Sequence, residues 1–286
     1  MPKAKKVAKK KKPETKLETE TPSFHKESKT TTLDDMTLLF HAPPGAGKTY
    51  LAATASEAWP KQLPSKKMID LEDMIWIGID AGATAGFASL GINIPKYIDF
   101  RDALVDYSVV DAMKQIQDYI DAKLMEPGSW LVVDTLSMLD RYLLEYYEGR
   151  TTESWAIYRM IGHFHRRLFA DLSLITSRII FLCHSKAPFQ GDDAKTKTRQ
   201  KAQIAGMAEI VPDLAGNQAR GVYVANVSLL GTVLPKRDPK GGGSERILYP
   251  LGDKGFEGKS RWEHILNREE PPHLGKLFKK ILDAQP

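Results

Sequence analysis

Cysteine is nearly missing from this chain, with Cys183 the single instance among 286 residues. That excludes a disulfide framework and any cysteine-based zinc site. Long apolar runs are missing as well. The most hydrophobic stretch, residues 74–95, is interrupted by Asp80 and by Gly78, Gly82, Gly86 and Gly91, which makes a poor membrane span. A lysine run opens the chain with no apolar segment behind it, so no secretory leader is expected. No internal repeat is visible. With 42% hydrophobic and 27% charged residues, the composition points to a soluble intracellular protein with a sizeable core, built as one large domain or two small ones.

Positive charge is plentiful only at one end. Residues 1–30 hold ten lysines against four glutamates, whereas the other 256 residues hold 31 basic and 32 acidic side chains. The basic balance therefore belongs to a tail, and residues 1–32 have too little to bury to fold. Such a tail fits a nucleic-acid-binding arm, a nuclear localisation signal or a solubilising extension.

From about residue 33 the pattern is that of an α/β domain. Short apolar runs at Met36–Ala42, Met74–Asp80, Trp130–Asp134 and Arg178–Cys183 read as strands. A helix-like segment, residues 49–59, follows the first. Val109, Met113, Ile116, Ile120 and Leu124 recur at helical spacing over 108–124, as do Ile157, Ile161, Phe164, Leu168 and Leu172 further on. Alternation of this kind implies a mainly parallel sheet covered on both faces. After residue 220 the texture turns strand-like, through VYVANVSLLGTVL, a turn at KRDPKGGGS and ERILYPL, which reads as an antiparallel hairpin extending the sheet. The expected boundaries are a core at 33–265 and a C-terminal helical tail at 266–286.

The strongest signal stands between the first strand and the next helix: Ala42, Pro43, Pro44, Gly45, Ala46, Gly47, Lys48 and Thr49, with Tyr50 beyond. The pattern G-x-x-x-x-G-K-[ST] is met except that Ala42 replaces the first glycine. Gly45 and Gly47 let successive N–H groups turn inward around an anion. Lys48 reaches the β- and γ-phosphates, and the Thr49 hydroxyl can hold Mg²⁺. The segment Pro43–Tyr50 is thus expected to bind ATP. Asp134, closing the apolar run WLVVD, is the candidate second Mg²⁺ ligand, although an aspartate there could equally cap the next helix. Asp80, closing the second strand, is the candidate general base. His184, closing the fourth, would face the nucleotide edge of a parallel sheet and could sense the γ-phosphate. Its neighbour Cys183 points to the opposite face, and His163 and His165 diverge around a helix, so neither pair makes a dyad. Thr135 follows Asp134 where oligomeric ATPases of the AAA+ type carry a water-activating glutamate, which argues against that class.

Taken in order, HAPPGAGKTYLAA, WLVVDTLSML, SWAIYRMIGHFHRRL and IIFLCHSK resemble the RecA-like P-loop ATPases of bacteriophages, including phage single-strand-annealing recombinases, over roughly residues 36–265. The resemblance implies a RecA-type core, ATP and Mg²⁺, single-stranded DNA as partner, ring or filament assembly, and a place in the bacterial host cytoplasm. A single-stranded-DNA-binding protein is a further partner it admits. It gives Lys48, Thr49 and Asp134 the nucleotide roles and His184 the motif position after the fourth strand. It also makes Lys259 and Arg261 candidates for reaching a neighbouring subunit's γ-phosphate, as an alternative to an ordinary basic turn. Relatives often place an acidic pair where this chain has Asp80 followed by Ala-Gly-Ala, so efficient hydrolysis is not assured. Residues 185–206 fit either a DNA-binding loop, with Lys186, Lys195, Lys197, Arg199 and Lys201 for phosphates and Phe189 for stacking, or a solvated insertion. Two other functions use the same P-loop. One is a nucleotide or small-molecule kinase with a lid of arginines, for which Arg199 and Arg220 could be mistaken. The other is a nucleotide-binding loader or scaffold that scarcely hydrolyses.

Overall fold

The computed structural model describes residues 36–59, 68–80, 82–186, 210–235, 245–252 and 255–284. In chain order the elements are β1 (Met36–Ala42), α1 (Lys48–Ala53), β2 (Ile69–Asp70), β3 (Met74–Gly78), α2 (Ala83–Leu90), β4 (Ile92–Asn93), β5 (Lys96–Asp99), α3 (Phe100–Leu104) and α4 (Val109–Tyr119). They continue with β6 (Trp130–Asp134), α5 (Leu136–Glu148), α6 (Ser154–Ile175), β7 (Arg178–Lys186), β8 (Val211–Pro212) and α7 (Gly216–Asn226). The last are β9 (Leu229–Pro235), β10 (Arg246–Tyr249), β11 (Lys259–Ser260) and α8 (Leu274–Asp283).

Among the described residues nine strands make one sheet whose main path runs β10-β9-β1-β7-β6-β3-β5. From β9 to β5 every pairing is parallel, and β10 and β11 join β9 antiparallel. This is the α/β class expected of a P-loop nucleotide-binding core. Side chains alternate across the pleat, so each central strand feeds two cores. Met36, Leu38, Phe40, Trp76, Val132, Ile180 and Leu182 pack on one face with α1 and α8. Leu39, Ile75, Ile77, Leu131, Val133, Ile179, Phe181 and Cys183 pack on the other with α4, α5, α6 and α7. Such two-sided burial explains why the strands read as continuous apolar runs. No helix among the described residues is long and apolar enough to cross a membrane.

Three expectations need correction. The run VYVAN is helix, not strand. In α7 Ala219, Val222 and Tyr223 fall at i, i+3 and i+4 and bury one face, so packing overrides the β preference of valine and tyrosine. The antiparallel hairpin does form, but its first strand begins at Leu229, and its turn at 236–244 lies outside the described residues. The helix after the P-loop stops at Ala53 rather than reaching Trp59. There the Thr54 hydroxyl donates to the Leu51 carbonyl at 2.6 Å and accepts from the Leu274 amide at 2.8 Å. That second bond helps fix α8, which is no loose appendage. Its Leu274, Leu277, Phe278 and Ile281 are buried, and the Phe278 ring stacks on Trp130 with centroids 5.1 Å apart. The amphipathic helix expected over 108–124 is present as α4 followed by a π-helical turn at Ile120–Leu124.

Two polar clusters tie these layers together. In the second core the Asp140 carboxylate meets His165 Nε2 at 2.5 Å and accepts from the Ala215 amide, while His165 Nδ1 meets the Tyr223 hydroxyl at 2.8 Å. Three helices are thereby pinned, and exposed His163 points away as expected. At the end of β1, His41 is fully buried. Its Nε2–H donates to the Glu257 carbonyl at 3.0 Å, so Nδ1 accepts from the Ser185 hydroxyl at 2.9 Å. Burial lowers the His41 pKa to about 4 from the ordinary 6.5. Between those values the unfolded chain takes up a proton that the folded one refuses. Stability is therefore full above pH 6.5 and falls, by about 3 kcal/mol, as pH drops toward 4. Urea titrations of wild type and His41→Gln at pH 7.5 and 4.5 check this: the variant is expected to show the smaller difference between the two.

Candidate functional site: the carboxyl edge of the sheet

Strands β1, β3, β6 and β7 deliver their carboxyl ends to one edge. The loop after β1 turns twice through conformations that favour glycine, with φ of +74° at Gly45 and +95° at Gly47. Lys48 opens α1 and is buried, with 6% of its surface exposed. Its ammonium donates to the carbonyls of Ala42 at 3.2 Å and Pro43 at 3.4 Å, and to His184 Nδ1 at 3.2 Å. The methyl of Ala42, at the position of the missing glycine, is buried in the first core and leaves the loop open.

Across the edge the Thr49 hydroxyl donates to Asp134 Oδ2 at 3.2 Å. Burial pushes the Asp134 pKa up to about 6, against the pull of Lys48 and of the Thr49 hydrogen bond. The buried Trp76 indole N–H has no hydrogen-bond partner among the described residues, and its influence on Asp134 acts to lower that pKa. The peptide after Asp134 is cis, and Thr135 caps α5 by accepting from the Met138 amide at 3.4 Å. The helix-capping role once open to Asp134 thus falls to Thr135. A hydroxyl and a carboxylate meeting beside a phosphate loop are hard oxygen donors of the kind Mg²⁺ takes, so the residues fit that ion. No group of three or more His, Cys, Asp or Glu among the described residues could hold a metal unaided, so nucleotide and water would complete the shell.

Asp80 lies two residues past the end of β3. The Ile79 and Asp80 amides both donate to the Asp134 carbonyl, at 2.5 and 3.2 Å, which fixes the two acids side by side. One Asp80 oxygen accepts from the Gly82 amide at 3.2 Å, and the other lies 3.7 Å from His184 Nε2. Burial and the Lys48 charge lower the His184 pKa, so the ring is neutral, accepting from Lys48 at Nδ1 and presenting Nε2–H to Asp80. Burial likewise lowers the pKa of Lys48, against the pull of Asp134 and Asp80. Lys48, Thr49, Asp80, Asp134 and His184 are thus gathered at one place.

Other expected residues are placed elsewhere. Lys186 ends β7, donating to the Leu214 carbonyl at 2.7 Å and pairing with Asp213 at 3.0 Å. Phe189, Lys195, Lys197, Arg199 and Lys201 lie outside the described residues. Lys259 pairs with Leu230, level with Leu39 in β1 and so short of the phosphate edge, and caps α7 by donating to the carbonyls of Val224 and Ala225. The exposed Arg261 is anchored through its amide to the Ser228 carbonyl. Arg220, a possible kinase lid residue, is engaged by Glu257 at 2.9 Å. One residue at the loop was not anticipated. Arg246, from β10, donates from Nη2 to the Gly45 carbonyl at 3.3 Å.

The chain matches the family model of an AAA domain over residues 34–262. It belongs to the AAA-domain family. The missing glutamate after Asp134 therefore does not exclude the AAA class, contrary to the inference from Thr135. A search of curated proteins finds no match. As a P-loop ATPase domain, this AAA domain is a nucleotide-binding domain.

Lys48→Ala is expected to abolish ATP binding in a folded protein, with calorimetry and circular dichroism as the paired checks. Asp134 must be ionised to hold a cation, so Mg²⁺·ATP affinity should fall about tenfold per pH unit below pH 6. Asp134→Asn should flatten that profile, which nucleotide titrations between pH 5 and 7.5 would reveal.

Proposed function

We propose that this AAA domain is an ATP-hydrolysing, single-stranded-DNA-binding recombinase or annealing protein of the bacteriophage type its motifs resemble. The observation that carries the reading is the line Lys48–His184–Asp80 at the end of β7. A γ-phosphate held by Lys48 would lie against His184, and β7 runs on for only two residues before the segment 187–209 with its lysines and arginine. That segment re-enters at β8, where Lys186 pairs with Asp213 and the Asp213 amide donates to the His184 carbonyl at 2.7 Å. The described residues flanking this candidate DNA loop are therefore tied to each other, and through Asp213 to His184.

In the hydrolysis we assign to it, Asp80 takes a proton from water as its oxygen bonds to the γ-phosphorus. The bond from that phosphorus to the β–γ bridging oxygen breaks, and Lys48 stabilises the charge gathering on the phosphates. Thr49 and Asp134 would hold Mg²⁺, whose positive charge offsets the same oxygens. Ring or filament assembly would bring the Lys259–Arg261 segment toward a neighbouring subunit. One observation favours the low-turnover scaffold as a second reading. Thr135 is occupied in capping α5, which leaves water activation to the shorter and less directly placed Asp80.

ATP turnover measured with and without single-stranded DNA decides between the two. DNA stimulation is expected in the wild type, and its absence with negligible basal turnover favours the scaffold. Asp80→Asn should slow hydrolysis about 100-fold or more while leaving ATP affinity within a few-fold. Neutralising Lys195, Lys197 and Arg199 together should remove the stimulation; full stimulation in that variant would move the DNA contact elsewhere.

A further inference from the structure

Arg246 reaches the phosphate loop by strand register rather than by sequence proximity. In β9, Thr232 is level with His41 of β1, and Pro235 opposite Arg246 stands three residues further on, about 10 Å along the strand. Since β1 ends one residue after His41, that height is the height of the loop. The side chain packs against it. A Cβ added to Gly47 would stand 2.8 Å from Arg246 Nη1 and 3.0 Å from Cζ. Gly47 takes its φ of +95° for the turn of the loop, and the Arg246 guanidinium packs against the space its missing side chain leaves. Gly45, 3.3 Å away through its carbonyl, anchors the other end of the contact.

We propose that Arg246 is a second phosphate-binding cation of the nucleotide site, acting on the β-phosphate from the outer side of the loop while Lys48 acts from within. The inference rests on the P-loop reading and adds a residue that lies some 200 positions away in sequence. A neutral carbonyl is the weaker acceptor. A phosphate oxygen in the same loop offers charge as well as lone pairs, and a guanidinium matches two such oxygens with its planar fork. Release of the Gly45 carbonyl would free the guanidinium, already packed at this loop, for such an oxygen.

The test compares Mg²⁺·ATP, Mg²⁺·ADP and AMP binding to wild type, Arg246→Ala, Arg246→Lys and Lys48→Ala, with a thermal melt of each variant without nucleotide. Arg246→Ala is expected to weaken ATP and ADP about tenfold or more and AMP less than twofold, with Arg246→Lys regaining part of the loss. An equal loss for all three nucleotides, above all with a lowered melting temperature, would make Arg246 a brace of the loop or a contact to the nucleoside and overturn the assignment. Unchanged affinity in Arg246→Ala alongside lost binding in Lys48→Ala overturns it too, and leaves the P-loop reading standing. ATP binding retained by Lys48→Ala would instead bring down the P-loop reading itself.

Discussion

An ammonium group buried at the carboxyl edge of a parallel sheet governs the arrangement of the site. Lys48 is almost wholly removed from water, and a buried charge is tolerated only among partners. Its partners come from the ends of three strands: Asp134 from β6, Asp80 from just past β3, and His184 from β7. The sheet order β1-β7-β6-β3 is what makes this possible, because it fans those ends around the loop after β1. The same carboxylates that keep Lys48 charged are the groups that can hold a cation and a water. Stability of the edge and its chemistry thus draw on one set of charges.

His184 extends this cluster into the body of the protein. Its ring accepts from Lys48, its amide donates to the Ser137 hydroxyl at 2.8 Å, and its carbonyl accepts from the Asp213 amide. Ser137 in turn donates to the Asp213 carbonyl at 2.8 Å. A short chain of direct hydrogen bonds therefore runs from Lys48 to α5 and to the strand that leads into α7. Further along, Asp140 accepts from Ala215 and meets His165, which joins the start of α7 to the middle of α6. Displacement of Lys48 toward a phosphate would alter the first bond of this chain and bear on those that follow it.

Much of this was legible in the sequence, for stated reasons. Strands β1 and β6 fall on the residues expected, because central parallel strands must be apolar on both faces and so stand out as runs. Lys48 and Thr49 were legible from the loop motif, and Asp134, Asp80 and His184 because each stands near a strand end, and in a parallel sheet all such ends share one edge. Arg246 was not, since its place depends on register across a hairpin that no local pattern fixes. VYVAN was misread because a valine–tyrosine run carries β propensity, while the burial that makes it helical comes from α6. The short α1 was missed because Thr54 is drawn away by α8, a contact across 220 positions. Thr135 misled about family because a single absent glutamate was weighed as if position alone defined the class.

Hydrogen exchange with and without Mg²⁺·ATP, in wild type and in Lys48→Ala, tests the central claim that the buried lysine links nucleotide to β7 and the start of α7. Nucleotide should slow exchange in the P-loop and also at the amides of His184 and Asp213–Ala215, and the variant should show neither effect. Protection confined to the P-loop, with 184 and 213–215 unchanged, would contradict the account.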